Sequence, residues 1–443
     1  MSLANGRSEL EVMRHYQHLA NLNFGVDTGM NPLGSCTMKY NPRINEDMCR
    51  LDGFAQLHPA QPQESVQGAL QLMYELQSDL AEIAGFEATT LQPSAGAHGE
   101  YAALMMFRAA HRARGDVRSK VIIPDTAHGT NPATVSLCGY GTVSIPSNDQ
   151  GLVDFDALKA ALDEDVAAFM LTNPNTLGLF EPEILEITKA VHEVGAYCYC
   201  DGANLNALLG ITRPGDMGFD ALHINLHKTF STPHGGGGPG SGPVCVTAEL
   251  ADYLPNPVVG FDEESETYRF VTPEHSIGRV RSWYGNFGVL VRAYTYIKAL
   301  GASGLRSSAE QAVISANYLR VKLQEHFDVA YDRICMHEFV ISGARQKRED
   351  NVATLDMAKR LLDYGFHPPT IYFPLLVEEA MMVEPTETEP LEVLDAFVET
   401  MIAIAQEAKE DPAALHSAPH RTPVRRLDEA GAVRNLNVCG SLC

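Results

Sequence analysis

Ala196-Tyr197-Cys198-Tyr199-Cys200-Asp201-Gly202-Ala203-Asn204 joins an uninterrupted apolar run to a single carboxylate. Such a run is the pattern of a strand buried on both faces, and it delivers Asp201 at its C-terminal end. Comparable runs stand at 121–123, 142–145 and 167–171, and helical periodicity fills the intervals 154–162 and 182–194. Strand and helix in alternation predict a mostly parallel central sheet covered by helices, an α/β fold. Beyond Asp201, residues 221–225 and 242–246 extend the sheet on either side of Lys228. Ligands in such sheets bind outside the C-terminal strand edge, which is where Asp201 and Lys228 fall.

The rest of the chain sorts around this block. Residues 1–60 read as an N-terminal arm, in which a helical stretch near 9–22 precedes a segment rich in turn-forming residues. A large domain spans 61–285 and opens with helices at 67–83, closed by Gly85, and at 96–113. From 286 to 410 the pattern predicts a smaller α+β C-terminal domain: long helices at 289–300 and 305–327, strands at 339–341 and 381–384, and a final helix at 390–410. Residues 411–443 read as a loosely structured tail.

With 443 residues, 45% of them hydrophobic, the chain can bury sizeable cores. A formal charge of −23 argues against a nucleic-acid partner or an acidic membrane surface. No stretch reaches the roughly 20 apolar residues needed to span a bilayer, and the first residues carry no signal pattern, so a soluble, cytoplasmic protein is expected. Nine cysteines without a CxxC pair or a Cys/His ligand spacing suggest neither a disulfide framework nor a metal site. The closing Cys439-Gly440-Ser441-Leu442-Cys443 reads as a frayed end with two free thiols, a small disulfide being the alternative.

Lys228 lies in Asn225-Leu226-His227-Lys228-Thr229-Phe230, ahead of the glycine tract Gly235 to Gly238, Pro239 and Gly240. A strand-end acid followed by an amine suits pyridoxal 5'-phosphate. The lysine holds the cofactor as a Schiff base, and Asp201 keeps the pyridine nitrogen protonated so that the ring accepts electrons. A lysine in this role needs a shielded site beside another cation or polar donors, and Asn225 and His227 are counted with it as cofactor-binding residues. A surface lysine and an Asp-Gly turn are the plain alternatives.

Other loops arrive at the same rim. In Gln92-Pro93-Ser94-Ala95-Gly96-Ala97-His98-Gly99-Glu100 a small-residue turn opens a helix, and exposed amides around Ser94, Ala95, Gly96 and Ala97 suit a phosphate. His98 offers a flat ring to stack on the pyridine. After strand 121–123, Asp125-Thr126-Ala127-His128-Gly129-Thr130-Asn131-Pro132-Ala133 supplies His128, Thr130 and Asn131 for the cofactor or the substrate side. After strand 167–171, Thr172 and Asn173 are candidates to meet the cofactor, an asparagine there being suited to its phenolic oxygen. Each segment alone is explained by an ordinary cap or turn, but five strand-end loops on one rim are harder to dismiss. No Walker loop, dinucleotide fingerprint or Gly-x-Ser-x-Gly elbow competes.

Met30-Asn31-Pro32-Leu33-Gly34-Ser35-Cys36-Thr37-Met38-Lys39-Tyr40-Asn41-Pro42, residues 125–133, the Lys228 segment with its glycine tract, and Val383-Glu384-Pro385-Thr386-Glu387-Thr388-Glu389 together resemble glycine dehydrogenase (decarboxylating), the P-protein of the glycine cleavage system. The matches run in order from residue 30 to about 390, and the length resembles the split form in which two chains replace one, this being the lysine-bearing β chain. The resemblance implies a fold type I pyridoxal-phosphate enzyme with Lys228, Asp201 and His98 catalytic, and Ser94, Gly96 and Ala97 by the phosphate. It implies a lysine-lacking subunit 1 (the α chain) as partner in an α2β2 tetramer, and the lipoyl-bearing H-protein as a second partner. The implied reaction decarboxylates glycine and passes the aminomethyl group to a lipoyl sulfur. Because this chain is acidic, subunit 1 or a local patch is expected to meet the acidic lipoyl protein. Another fold type I amino-acid decarboxylase or aminotransferase, and a non-catalytic assembly subunit, are the rival readings.

Overall fold

The computed structural model describes residues 7–234 and 240–436; the tract at 235–239 and the tail carrying Cys439 and Cys443 lie outside them. The centre is a seven-stranded sheet of order β1-β7-β6-β5-β4-β2-β3. Its strands are β1 (Ala88–Thr90), β2 (Lys120–Pro124), β3 (Gly141–Ile145), β4 (Val166–Leu171), β5 (Tyr197–Gly202), β6 (Ala221–Ile224) and β7 (Val244–Val246). β2 to β6 run parallel, and β7 is antiparallel to both of its neighbours. Every residue of β4 to β7 is buried. The two faces take alternate side chains, as the pleat requires. Ile122, Phe169, Cys198 and Leu222 pack on one side with the helices Gln67–Ala84 and Ile184–Glu193. Val121, Met170, Tyr199 and Ala221 pack on the other with the helix Gly96–Ala113.

Two further sheets follow: the hairpin β8 (Val258–Asp262) with β9 (Thr267–Val271), and a four-stranded antiparallel sheet of order β10-β11-β13-β12. The latter contains β10 (Asp328–Val329), β11 (Phe339–Ser342), β12 (Thr370–Ile371) and β13 (Ala380–Val383). The helices expected at 289–300 and 305–327 are one element, Phe287–Leu323, interrupted at Gly301, whose φ is 60°. Leu290 to Ala309 of this helix join the first core and Ala316 to Leu323 join the second. The cores therefore divide inside the helix rather than at residue 286.

The two chain ends are more integrated than the sequence pattern suggested. Leu415 of the helix Pro412–Ser417 belongs to the second core and Ala418 is fully buried, so residues 411–418 are packed and not a loose tail. In the arm, Met30 joins that same core, Leu33 bridges to Val383, and Gly34 sits so tightly on β13 that a Cβ there would come within 2.2 Å of Met382. The buried Lys39 amine donates to Glu387 at 2.8 Å and to the Tyr296 hydroxyl at 3.2 Å. Among the described residues no helix is long and apolar enough to cross a membrane, and all seven cysteines are unpaired.

Candidate active site

Five strand ends of the main sheet open on one cavity of about 150 Å³. Gly96 and Ala97 follow β1; His128 and Thr130 follow β2; Thr172 and Thr176 follow β4; Asp201 and Asn204 come from β5 and its loop; His223, Asn225 and Lys228 come from β6 and the short helix Leu226–Thr229. The remaining walls belong to distant parts of the chain, Ser35 of the arm and His337 and Glu338 at the entry to β11. Gly178 sets this junction: its φ is +77°, and a Cβ there would meet the Glu338 carbonyl at 1.9 Å, so glycine lets the loop after β4 lie directly against the β11 backbone.

Asp201 is 5% exposed and fully bonded: Oδ2 accepts from the Asn131 amide at 3.0 Å and Oδ1 from the Ala203 N–H at 3.1 Å. Burial opposes its ionisation, but His223, those two donors and Lys228 outweigh it, and the carboxyl stays below the usual carboxylate range. Behind it, the His223 Nε2 stands 3.6 Å from Oδ1 while its Nδ1 pairs with the Tyr199 hydroxyl. Lys228 Nζ donates to the Ser35 carbonyl at 2.6 Å. Glu100, on the helix after β1, accepts from Thr130 Oγ1 at 2.7 Å, and burial followed by the charge of Asp201 pushes its carboxyl up to about 7. A carboxyl held low, Asp201, and a carboxyl pushed up, Glu100, thus share one site with the Lys228 amine, and such a separation of two acids is what catalytic chemistry uses.

Several expected residues take other positions. His98 does not line the cavity: the Ser94 N–H and hydroxyl both meet its Nδ1 at 3.2 Å, and burial, with Arg281 nearby, keeps its ring below the ordinary histidine range. His128 does line the cavity, held to Thr130 through Nδ1 at 3.1 Å. Asn173 is consumed by structure, its Oδ1 accepting from the Glu181 N–H at 2.9 Å and its amide resting on Met217 Sδ. His227 is not a second cation beside Lys228. Burial, then His234 and Lys228, drive its imidazole down to about 3, and its Nδ1 takes the Ser241 N–H. Ser94 and Ala95 lie just outside the lining, and Asn131 acts through Asp201.

Sequence reading missed Ser35, Glu100, His223, His337, Glu338 and Glu384. Glu100 and His223 follow the helical and strand periods of their elements, so each passes for an ordinary position. Ser35, His337 and Glu338 reach the cavity only because the arm and the second sheet fold back over the strand ends. The motifs containing Ser35 and Glu384 were the available signal.

Relatives of this chain are named alike. Proteins called "probable glycine dehydrogenase (decarboxylating) subunit 2" are 61% identical in Caldanaerobacter subterraneus, over 97% of this chain and 88% of that one, and 60% identical in Chlorobium phaeobacteroides, over 98% and 90%. Residues 308–421 match the glycine dehydrogenase C-terminal domain, and residues 65–254 match aminotransferase class V. The chain belongs to the glycine dehydrogenase (decarboxylating) subunit 2 family. Its fold is that of a glycine decarboxylase (P-protein) crystal structure, with a TM-score of 0.74 at 22% identity over 91% of each chain. A Lactobacillus brevis glutamate decarboxylase shares it as well, with a TM-score of 0.71 at 14% identity over 93% of this chain and 95% of that one.

The site fits the pyridoxal phosphate of this fold. Asn225 Oδ1, Thr172 Oγ1 and His223 Nε2 are buried without partners at the cavity. A Cβ on Gly96 would come 2.8 Å from Asn225 Oδ1 and 3.0 Å from His223 Nε2, so glycine keeps the cradle open at the helix start. The first N–H groups of that helix have no intrahelical partner, and they suit a phosphate.

Proposed function

We propose that this chain carries out the pyridoxal-phosphate-dependent decarboxylation of glycine and transfers the aminomethyl group to the lipoyl arm of the H-protein. It does so as the β chain of an α2β2 assembly with glycine dehydrogenase subunit 1, in the cytoplasm. The observation that carries the reading is the Lys228 amine and the Asp201 carboxylate on one cavity, in a chain 61% identical to a protein named for this reaction.

Pyridoxal phosphate, when bound, supplies an electron sink conjugated to the substrate's α carbon. Lys228 would hold the group through its amine. Asp201 keeps its charge in a buried position through the Asn131 and Ala203 donors, and so would favour a proton on the pyridine nitrogen. Gly96, Ala97 and the flanking Ser94 would receive the phosphate, while the unpartnered Thr172 Oγ1 and Asn225 Oδ1 would be free for the ring substituents. His128, at the rim and bonded to Thr130, would take the role that the sequence suggested for His98, against the ring. Ser35, from the arm, walls the cavity beside Lys228, whose amine donates to its carbonyl.

The test is reconstitution. Labelled glycine should release CO2 only when the chain is combined with subunit 1 and a lipoylated carrier protein. Full turnover by the chain alone, or release of a free amine or keto acid without the carrier, would replace this reading with that of an ordinary decarboxylase or aminotransferase.

A further inference from the structure

Glu338, one of a buried carboxyl pair, walls the cavity together with Ser35 and Lys228, and neither carboxyl has a part in the chemistry above. Glu338, just ahead of β11, and Glu384, just past β13, stand with His337 so that one ligating atom of each lies within 4.8 Å of the others. All three are at most 4% exposed. The Ser35 N–H donates to Glu338 Oε2 at 2.7 Å, and Glu338 Oε1 is 3.8 Å from His337 Nε2. Glu384 Oε1 collects three donors, Thr37 Oγ1 at 2.7 Å and the Asn204 and Asn206 amides at 3.0 Å. Two carboxylates this close in a dry site do not both ionise, so the pair retains a proton. Glu384 Oε1 is held by three donors, whereas Glu338 has the Ser35 N–H alone. Burial and then Glu384 push the Glu338 carboxyl up to about 8, against the Ser35 N–H and Lys228.

The transfer step needs such a proton. Glycine enters as a zwitterion and loses CO2. The remaining CH2–NH3+ unit bonds to one lipoyl sulfur with its electron pair while the S–S bond breaks. The carbon is thereby oxidised and the disulfide reduced by two electrons, and the second sulfur departs as a thiolate that takes up one proton. We propose that Glu338 donates this proton to the departing lipoyl sulfur, with Glu384 and His337 orienting its carboxyl towards the cavity. The inference rests on the lipoyl-transfer reading above.

Position favours Glu338 over the other groups at the cavity. It lines the wall beside Lys228, where the substrate replaces the amine. The other protonated carboxyl, Glu100, is bonded to Thr130 next to Asp201, at the pyridine-nitrogen end. The His128 and His337 imidazoles are held below their ordinary range by burial, and the Cys36 thiol is raised by it, so none is a ready donor. The titratable or charged groups facing Glu338 are Glu384, His337, Lys228 and Cys335. Once its proton has gone, the Ser35 N–H and Lys228 stabilise the carboxylate until solvent restores it.

The experiment uses Glu338→Gln and Glu338→Asp chains assembled with subunit 1, glycine and a lipoylated carrier protein. Glu338→Gln should keep the glycine-induced change in cofactor absorbance and slow single-turnover transfer to the lipoyl arm by ~10²-fold or more. Glu338→Asp, still an acid, should recover part of the rate. Wild-type transfer should fall as pH rises through about 8, because the acid form is required, and Glu338→Gln should lose that limb. Infrared difference spectra should show a protonated carboxyl titrating in the same range that is missing from Glu338→Gln. Wild-type transfer rates in Glu338→Gln, an unchanged alkaline limb, or loss of the glycine-induced absorbance change together with transfer would each overturn the proposal. If wild-type enzyme releases CO2 without any lipoyl carrier, the transfer reading itself falls, and the donor role with it.

Discussion

Replacing Glu100 by glutamine isolates the cost of keeping a second carboxyl beside Asp201. Glu100 is 1% exposed; its Oε1 accepts from Thr130 and its Oε2 has no partner. Burial, and then the Asp201 charge, raise its carboxyl from an ordinary 4.5 to about 7. The folded chain therefore holds this proton over a range in which the unfolded chain has released it, and stability falls as pH rises. The penalty is absent below about 4.5, grows through the interval up to about 7, and is constant above it. At about 1.4 kcal/mol per pH unit, that interval is worth about 3 kcal/mol. Glutamine keeps the acceptor for Thr130 and carries no charge at any pH. Urea unfolding of the cofactor-free chain should find the two proteins similar near pH 4.5 and Glu100→Gln more stable by up to about 3 kcal/mol at pH 8. An equal difference at both pH values, or a wild type that gains stability over Glu100→Gln as pH rises, would refute the assignment of a buried neutral acid.

Lys228→Ala should lose the visible absorbance of lysine-bound cofactor, and borohydride should no longer fix the cofactor to the chain; a retained adduct would move the role to another amine. Asp201→Asn should still bind cofactor, because Asn131 can turn its unpartnered Oδ1 towards the new amide, but should decarboxylate slowly. The loss of one charge-assisted contact, about 1.5–3 kcal/mol, corresponds to roughly 10- to 100-fold in rate, and near-normal turnover would count against it. Lys39→Ala strands the Glu387 carboxylate, whose side chain is 9% exposed, at a cost of about 3–5 kcal/mol. Protease sensitivity around residues 30–42 should rise with it, and unchanged unfolding and cleavage would show that the ion pair does not hold the arm.

The sequence carried the main sheet almost completely because its information is local. Apolar runs bounded by helical periods place strands to within a residue or two, and a parallel sheet brings the ends of those strands to one edge whatever their loops contain. Asp201, Lys228, Thr172, His128 and Asn225 could therefore be assigned to one rim before any coordinate. What failed depended on which way a side chain turns, or on contacts across hundreds of residues. His98 and His128 are both imidazoles in small-residue turns, and only the helix start after β1, which directs His98 back onto Ser94, separates them. The arm read as peripheral because it lacks periodicity, yet its backbone is an extra partner of β13, and such pairing has no side-chain signature. The division of the cores inside the helix Phe287–Leu323 is hidden for a related reason: a continuous helical pattern does not say which core each turn faces.

Ser35 shows why the arm belongs to the site and is not a cover for it. Its carbonyl accepts from Lys228 at 2.6 Å and its N–H donates to Glu338 at 2.7 Å, so one residue's backbone links the amine proposed to hold the cofactor to the acid proposed for the lipoyl step. To present both groups, Ser35 adopts a φ of 63°, a left-handed conformation that costs a non-glycine residue on the order of 1–3 kcal/mol and persists only where surrounding contacts impose it. Those contacts are the Leu33 bridge to Val383, the Gly34 carbonyl accepting from Thr370 at 2.7 Å, and the buried Lys39–Glu387 pair. All lie in the second sheet or the segment following it, whereas Lys228 belongs to the first. The backbone of this one residue therefore ties the Lys228 amine and the Glu338 carboxyl to a segment whose placement depends on the second sheet.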